Sequence, residues 1–419
     1  MYIKRTIDML IERYARTAKC LLVTGPRQVG KSTSLGAVLK DRKYVSLDDP
    51  FVEEQAKEHP SLFLELNPPP VTIDEVQQAP GLFRYLKMAC DEAKDGRGLF
   101  CLSGSQPYHL MKGVSESLSG RVRIVEMCGL SLRELAKDGF FRHFVPTEEY
   151  VRVRSKSVKK PGRLWEVIHR GGYPELQRRD VEWNSFYADY VKTYLERDVR
   201  ALSAVHSLTD FRRFMVSVAS RTGQVLNSAN IANEIGKDAE TVRNWLSILE
   251  TSGIVYLLQP YAATELKRAI KSPKVYFRDA GLAAYLTRWL TPETLATGAM
   301  SGHIFETFAV SEVLKSYANE GLDYRNYVSY YRGKDRRRRK ENGETVETES
   351  EIDLILEENG TLYPVEIKLT DKPTANDAAA FTLLDKVTGK VRGPGAVLCT
   401  CPMSGRSREN LMALPIWFV

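Results

Sequence analysis

The sequence predicts an α/β protein whose first third is built on a parallel sheet. Three observations carry that expectation. Short apolar runs at Cys20–Thr24, Val71–Ile73 and around Leu99–Leu102 alternate with helix-compatible stretches. Each run ends in small, polar or acidic residues, and ligand groups gather at the carboxyl ends of parallel strands. The first run leads directly into a loop bounded by Gly25 and Gly30, and a helical stretch at Thr33–Leu39 follows it.

That loop reads Gly25-Pro26-Arg27-Gln28-Val29-Gly30-Lys31-Ser32, with Thr33 next. It fits GxxxxGK[ST] in full, the pattern of a P-loop. Glycines let the backbone wrap an anion without Cβ clashes, and successive N–H groups then point inward at phosphates. The new helix adds the positive end of its dipole. Lys31 is placed to neutralise β- and γ-phosphates, and Ser32 to offer its hydroxyl to Mg2+. The expected ligands are therefore ATP and Mg2+.

The run Val71-Thr72-Ile73 ends in Asp74 and Glu75. There Asp74 is placed to hold Mg2+ through water and Glu75 to polarise the attacking water. A P-loop kinase has no need of the second carboxylate, so Glu75 favours hydrolysis. Ser105 closes the third strand, where it either touches the γ-phosphate or only makes a strand-end turn. Arg121 follows Ser119-Gly120 and precedes an apolar alternation, Val122–Val125. It reads either as an arginine finger, in cis or in trans, or as a surface arginine.

At 419 residues the chain exceeds one ordinary core, so two or three domains are expected. Hydrophobic residues at 43% and charged residues at 27% give the balance of a soluble globular protein. A net charge of +7 permits nucleic-acid binding without arguing for it. No apolar run approaches the ~18 residues of a membrane span. The charged start suggests no secretory signal. The six cysteines form neither a disulfide framework nor paired CxxC knuckles, and Cys399 and Cys401 read as structural. The expected compartment is the cytoplasm.

Residues 151–163 are basic and polar and read as a linker or solvated loop. From Trp165 to Arg200 the pattern is helical, and Tyr187, Tyr190, Val191 and Tyr194 form a stripe expected in the core. A helix–turn–helix outline follows: Asn227 caps a helix to Ile235, Gly236–Asp238 turn, and Ala239–Thr251 turns Val242, Trp245, Leu246 and Leu249 inward. With the strand after Gly253 this is a winged-helix outline. Thr241, Arg243, Asn244 and Ser247 then lie on its outer face and meet DNA, or the module packs against the ATPase without touching DNA.

Farther on, Glu306 sits on an apolar helical stripe with Ala309, Val310 and Val313, a costly place for a carboxylate without a partner. Asp353 faces away from Ile352 and Leu354 on one strand, and Glu366 and Lys368 share a face of the next. Asp353, Glu366 and Lys368, with Glu306 behind them, reproduce the PD-(D/E)XK nuclease pattern. In it Asp353 and Glu366 hold Mg2+ against a scissile phosphate and Lys368 activates water. The alternative is a nuclease fold kept for binding or assembly. A basic run, Lys334–Lys340, meets nucleic acid or pairs with the glutamates that follow it.

Taken in order, GPRQVGKST (25–33), SLDD (46–49), IDEVQ (73–77), LSGSQ (102–106), SLSGR (117–121), GGYPE (171–175), TYLERDV (193–199), YFRDAGLAAYL (276–286), HIFETF (303–308) and PVEIK (364–368) resemble the AAA-type bacterial and archaeal ATPases that carry a C-terminal domain of unknown function. The resemblance runs nearly end to end. It implies an AAA-like P-loop domain over 1–150, a helical and winged-helix region over 151–295 and a nuclease-like α/β domain over 296–419. It also implies homo-oligomers, since many related ATPases assemble into rings, and this leaves a trans role open to Arg121 beside a cis one. The functional expectation is a DNA-linked ATPase controlling a C-terminal nuclease. The alternative is a nucleotide-switched scaffold whose C-terminal fold binds a protein partner.

Overall fold

The structure is a computed structural model that describes residues 2–105, 118–199, 207–262, 272–339, 345–406 and 412–419, with the backbone alone at 196–198, 334–339 and 345–349. Gln106 and Ser117 of two motifs, and Lys340 of the basic run, lie outside the described residues.

Five strands make the first sheet: β1 (Cys20–Thr24), β2 (Lys43–Ser46), β3 (Val71–Asp74), β4 (Phe100–Gly104) and β5 (Val122–Glu126). All are parallel, in the order β2-β3-β4-β1-β5. Alternation along β1 divides the core. Cys20 and Leu22 pack with Val45, Ile73, Phe83 and Leu102 on one face. Leu21 and Val23 pack with Leu35, Val125 and the helix Asp8–Thr17 on the other. Both faces are covered, so β1, β3 and β4 are buried at every position.

Beyond this sheet the reading of 151–163 as a linker fails over its first part. Thr147 caps a helix, Glu148–Arg154, and Arg154 is buried. Its guanidinium pairs with Asp138 and donates to the carbonyls of Trp417 (2.9 Å) and Phe418 (3.2 Å). A basic residue in such a run is expected in solvent, whereas these distant acceptors satisfy it in the interior.

The middle region begins with helices Leu164–Arg170, Trp183–Thr193 and Leu208–Ala219. Tyr187, Tyr190, Val191 and Tyr194 are buried core, as their spacing suggests. The helix–turn–helix elements occupy Ser228–Ile235 and Ala239–Thr251, capped by Asn227 and Asp238, with Gly236 left-handed at φ 68° between them. They carry a small antiparallel sheet, β6 (Gln224–Val225), β7 (Val255–Leu258) and β8 (Lys274–Phe277), ordered β6-β8-β7. Arg243, Asn244 and Ser247 are exposed.

The last region starts with the helix Ser301–Glu320, buried on nearly all sides. It leads to a sheet of β9 (Val328–Arg339), β10 (Thr345–Glu358), β11 (Thr361–Ile367), β12 (Val391–Arg392), β13 (Ala396–Cys399), β14 (Gly405–Arg406) and β15 (Met412–Pro415). Its main path runs β14-β15-β13-β11-β10-β9. The basic run extends β9 against the glutamate-rich start of β10, with Lys334 opposite Glu349 in the backbone register. All six cysteines are buried and free, and Cys399 and Cys401 bring their Sγ atoms to 2.9 Å.

Candidate functional site

Parallel register brings the candidate residues of the first sheet to one edge. Leu22 of β1 and Ile73 of β3 both pair with Leu102 of β4. Counting forward, Thr24, Glu75 and Gly104 lie level at the carboxyl end. The P-loop leaves that edge in a strained path: Gly25 has φ 146°, Gln28 φ 60° and Gly30 φ 94°. A Cβ on Gly25 would stand 2.1 Å from the Met127 carbonyl oxygen, so glycine is required there. Lys31 is buried and donates to the carbonyls of Gly25 (3.0 Å) and Pro26 (2.8 Å). Ser32 and Thr33 sit in the first turn of the helix Lys31–Val38, and Arg27 is half-buried. Behind the loop, Arg5 donates to the carbonyls of Val29 (2.9 Å) and Cys128 (2.6 Å) and pairs with Glu134 at 3.2 Å.

Asp74 is buried, yet both its oxygens accept: Oδ2 from the Tyr44 hydroxyl at 2.6 Å, Oδ1 from Ser103. Ser32 also lies close enough to act on the Tyr44 phenol, so this one side chain neighbours both residues expected at Mg2+. Burial first, and then Asp74, push that phenol well above its usual range. The donor set, one carboxylate and one hydroxyl, suits a hard divalent cation. Glu75 adopts a left-handed backbone at φ 55°, rare for a non-glycine residue and typical of functional turns. Its carboxylate accepts from Gln77 and from the Ser105 hydroxyl at 3.1 Å. Ser105 thus positions Glu75.

Arg121 lies elsewhere. It precedes β5, whose Val122 pairs with Cys20, at the opposite edge from the P-loop. Four residues of strand separate the two edges by ~13 Å, beyond the reach of an arginine in the same chain. Its guanidinium binds Asp91 through Nε (2.5 Å) and one terminal nitrogen (3.0 Å).

The middle region meets the P-loop directly. Gly253 leaves so little room that a Cβ there would stand 2.7 Å from Pro26, and one on Gly30 would stand 3.5 Å from Pro174. Arg278, just after β8, pairs with Glu126 at the end of β5 and donates to Cys128 Sγ at 3.0 Å. Asp279 accepts from Tyr187 (2.6 Å) and the Gly172 N–H (2.7 Å), which locks Gly171–Gly172 beside the loop.

Glu306, Asp353, Glu366 and Lys368 do come together in the C-terminal region, but with an uninvited cation. Lys274 Nζ lies 3.2 Å from Glu306 and 3.3 Å from Asp353, and also pairs with Glu351. Tyr276 donates to Glu306 at 2.6 Å, Ile367 N–H to Asp353 at 2.9 Å, and Lys368 pairs with Glu366 at 2.7 Å. Burial, with Asp353 nearby, raises the Glu306 carboxyl to about 7 and the Glu366 carboxyl to about 8. As it stands the cluster does not fit a metal: among the described residues no group of three or more His, Cys, Asp or Glu side chains is arranged to hold one.

Three family models match successive parts of the chain. Residues 17–136 match an AAA domain. The N-terminal unit, a P-loop-bearing parallel sheet, is thus similar to AAA domains. Residues 162–293 match a Domain of unknown function (DUF8612), and residues 301–419 another (DUF4143). Two uncharacterized proteins, from Mycobacterium tuberculosis and Mycobacterium bovis, are each 28% identical over 385 residues, covering 91% of this chain and 77% of theirs. Among solved structures, a variant of Thermotoga maritima RuvB covers 60% of this chain and 86% of its own at 14% identity and a TM-score of 0.29. A Pyrococcus horikoshii signal-transduction ATPase of the STAND class covers 76% of this chain and 47% of its own at 10% identity and a TM-score of 0.25. Among the described residues no helix is long and apolar enough to cross a membrane.

Tyr44, Arg5, Arg278, Lys274 and Tyr276 were not foreseen in the sequence. Lys274 heads an apolar strand, KVYF, buried throughout, and that placement was its only signal.

Proposed function

We propose that the chain binds and hydrolyses Mg2+–ATP at the carboxyl edge of the first sheet. The carrying observation is the meeting there of Lys31, the Ser32–Tyr44–Asp74 set and the Glu75–Ser105 pair. Lys31 exchanges the carbonyls of Gly25 and Pro26 for the β- and γ-phosphates. Asp74 and Ser32 would hold Mg2+, which, when bound, neutralises phosphate charge. Glu75, oriented by Ser105 and Gln77, takes a proton from the attacking water. Arg121 stabilises transition-state charge at the site of a neighbouring copy, because its own P-loop is out of reach. This makes the working form a homo-oligomer. Mixing Arg121→Ala with Lys31→Ala protein should restore hydrolysis.

Contacts of Pro26 with Gly253 and of Glu126 with Arg278 would carry the nucleotide state into the middle region. There the exposed Arg243, Asn244 and Ser247 support a DNA link, whereas Lys274 among the C-terminal carboxylates speaks against metal-dependent cleavage by the wild-type cluster. The scaffold reading, with a protein partner on the C-terminal fold, is favoured by Lys274 among the carboxylates. The test is steady-state ATP hydrolysis by wild type and Glu75→Gln, with and without DNA. A wild-type rate raised by DNA and absent in Glu75→Gln supports the DNA-linked enzyme. ATP binding without turnover in both proteins overturns hydrolysis and leaves the switch.

A further inference from the structure

The four residues of the nuclease pattern surround a fifth that the pattern does not contain. Lys274 belongs to β8, not to the C-terminal sheet, and its position is held on both sides: its backbone pairs with Val225 of β6 and Leu258 of β7. Its side chain is 3% exposed, and the ammonium reaches Glu306, Glu351 and Asp353 together. An ammonium has three N–H donors, and here it meets three carboxylates. The Tyr330 ring lies 5.7 Å from Nζ, and the Tyr330 hydroxyl donates to the Ser272 carbonyl at the approach to β8. The lysine is therefore built in from several directions.

A divalent ion and this ammonium exclude one another. Mg2+ needs oxygens at ~2.0–2.1 Å in near-octahedral array. Here Nζ stands between Glu306 and Asp353, where such an ion would have to sit. Two positive centres in one buried pocket also repel strongly. Without the lysine, Glu306, Glu351, Asp353 and Glu366 would face one another with Lys368 as the remaining cation in the cluster. An oxygen-rich, strongly anionic pocket of that kind suits Mg2+ or Mn2+. Glu366 Oε2, buried without a hydrogen-bond partner, adds a further acceptor.

We infer that Lys274 is the resident cation of the C-terminal carboxylate cluster, standing in for a metal ion and joining β8 to the C-terminal sheet, so that the cluster takes a divalent ion only when Lys274 is removed. The inference does not rest on ATP hydrolysis.

The experiment titrates nucleotide-free full-length protein with Mn2+, reading free Mn2+ by electron paramagnetic resonance and the Tm by calorimetry. Wild type and Asp353→Asn should behave alike, with no site that depends on Asp353. Lys274→Ala should gain one Mn2+ site per chain and a Tm that rises with Mn2+, and both should vanish in Lys274→Ala with Asp353→Asn. Wild-type Mn2+ binding that Asp353→Asn abolishes would overturn the inference, as would a folded Lys274→Ala protein that binds none. Should Lys274→Ala alone not fold, Lys274→Ala with Glu306→Gln removes one opposing charge, and the wild-type comparison decides in any case. ATP hydrolysis measured on the same wild-type sample keeps failure of the ATPase reading separate.

Discussion

Replacing Arg278 by alanine tests whether the P-loop domain and the middle region are mechanically joined. The Arg278 and Glu126 side chains are 13% and 22% exposed, so their ion pair is largely desolvated. Burial pushes the Glu126 carboxyl up, but Arg278 and then Arg325 more than offset this and hold it below the usual carboxylate range. Removing one partner of a buried pair costs about 3–5 kcal/mol because a charge is left uncompensated. Here Arg325 remains at 3.5 Å and the Tyr324 hydroxyl at 3.1 Å, so the cost falls to the bottom of that range or just below it, about 2–3 kcal/mol. That corresponds to a fall of about 5–10 °C in the first thermal transition. A double-mutant cycle with Glu126→Gln should return about 2 kcal/mol of coupling. ATP hydrolysis should fall with it, since Arg278 stands beside Gly253 and hence Pro26. Coupling under about 0.5 kcal/mol, with turnover unchanged, would refute the joint.

Other outcomes follow from the same geometry. Gly25→Ala forces a Cβ to 2.1 Å from the Met127 oxygen at φ 146°, so nucleotide binding by equilibrium dialysis should be lost even where the protein stays folded. Tyr44→Phe removes the 2.6 Å hydrogen bond to Asp74 and should weaken Mg2+-dependent ATP binding by about tenfold, while binding without Mg2+ stays unchanged. His143 bridges Glu320 and Glu358; burial opposes its charge, but the two carboxylates outweigh that and raise it to about 9. Its folded value lies above its unfolded one. Its stabilisation is therefore complete below about pH 6.5 and lost as pH rises through about 9. Allowing for solvent at this partly exposed site, the effect is about 1–2 kcal/mol. Denaturation midpoints of wild type and His143→Gln should converge at alkaline pH, and a gap independent of pH would count against the bridge.

The P-loop was legible because its chemistry is local. Spacing within Gly25–Ser32 already dictates a wrapped anion site, and Cys20–Thr24 is one uninterrupted apolar strand. Asp74 and Glu75 were legible for the same reason, as acids at the end of such a strand. What was illegible depends on residues far apart in the chain. Tyr44 meets Asp74 across 30 positions and Arg278 meets Glu126 across 152. Arg154 looked solvated because its acceptors are Asp138 and carbonyls more than 260 residues away. Arg121 could be placed in a turn from its neighbours, but only the register of β5 on β1 puts it at the far edge of the sheet.

Lys274 is the instructive case, because half of it was readable. Glu306, on an apolar helical face, is costly unless something pairs with it. Lys274, heading a strand whose next residues are Val275, Tyr276 and Phe277, is costly for the same reason and has the opposite sign. Neither position says where its partner is. Two buried charges of opposite sign in neighbouring elements, however, each solve the other's problem, and pairing them is the least expensive outcome. In a nuclease-like pattern the same carboxylates would be assigned to a metal. A lysine in a buried strand should therefore be weighed as a rival for that position before a metal is placed there, and here the rival is at the site.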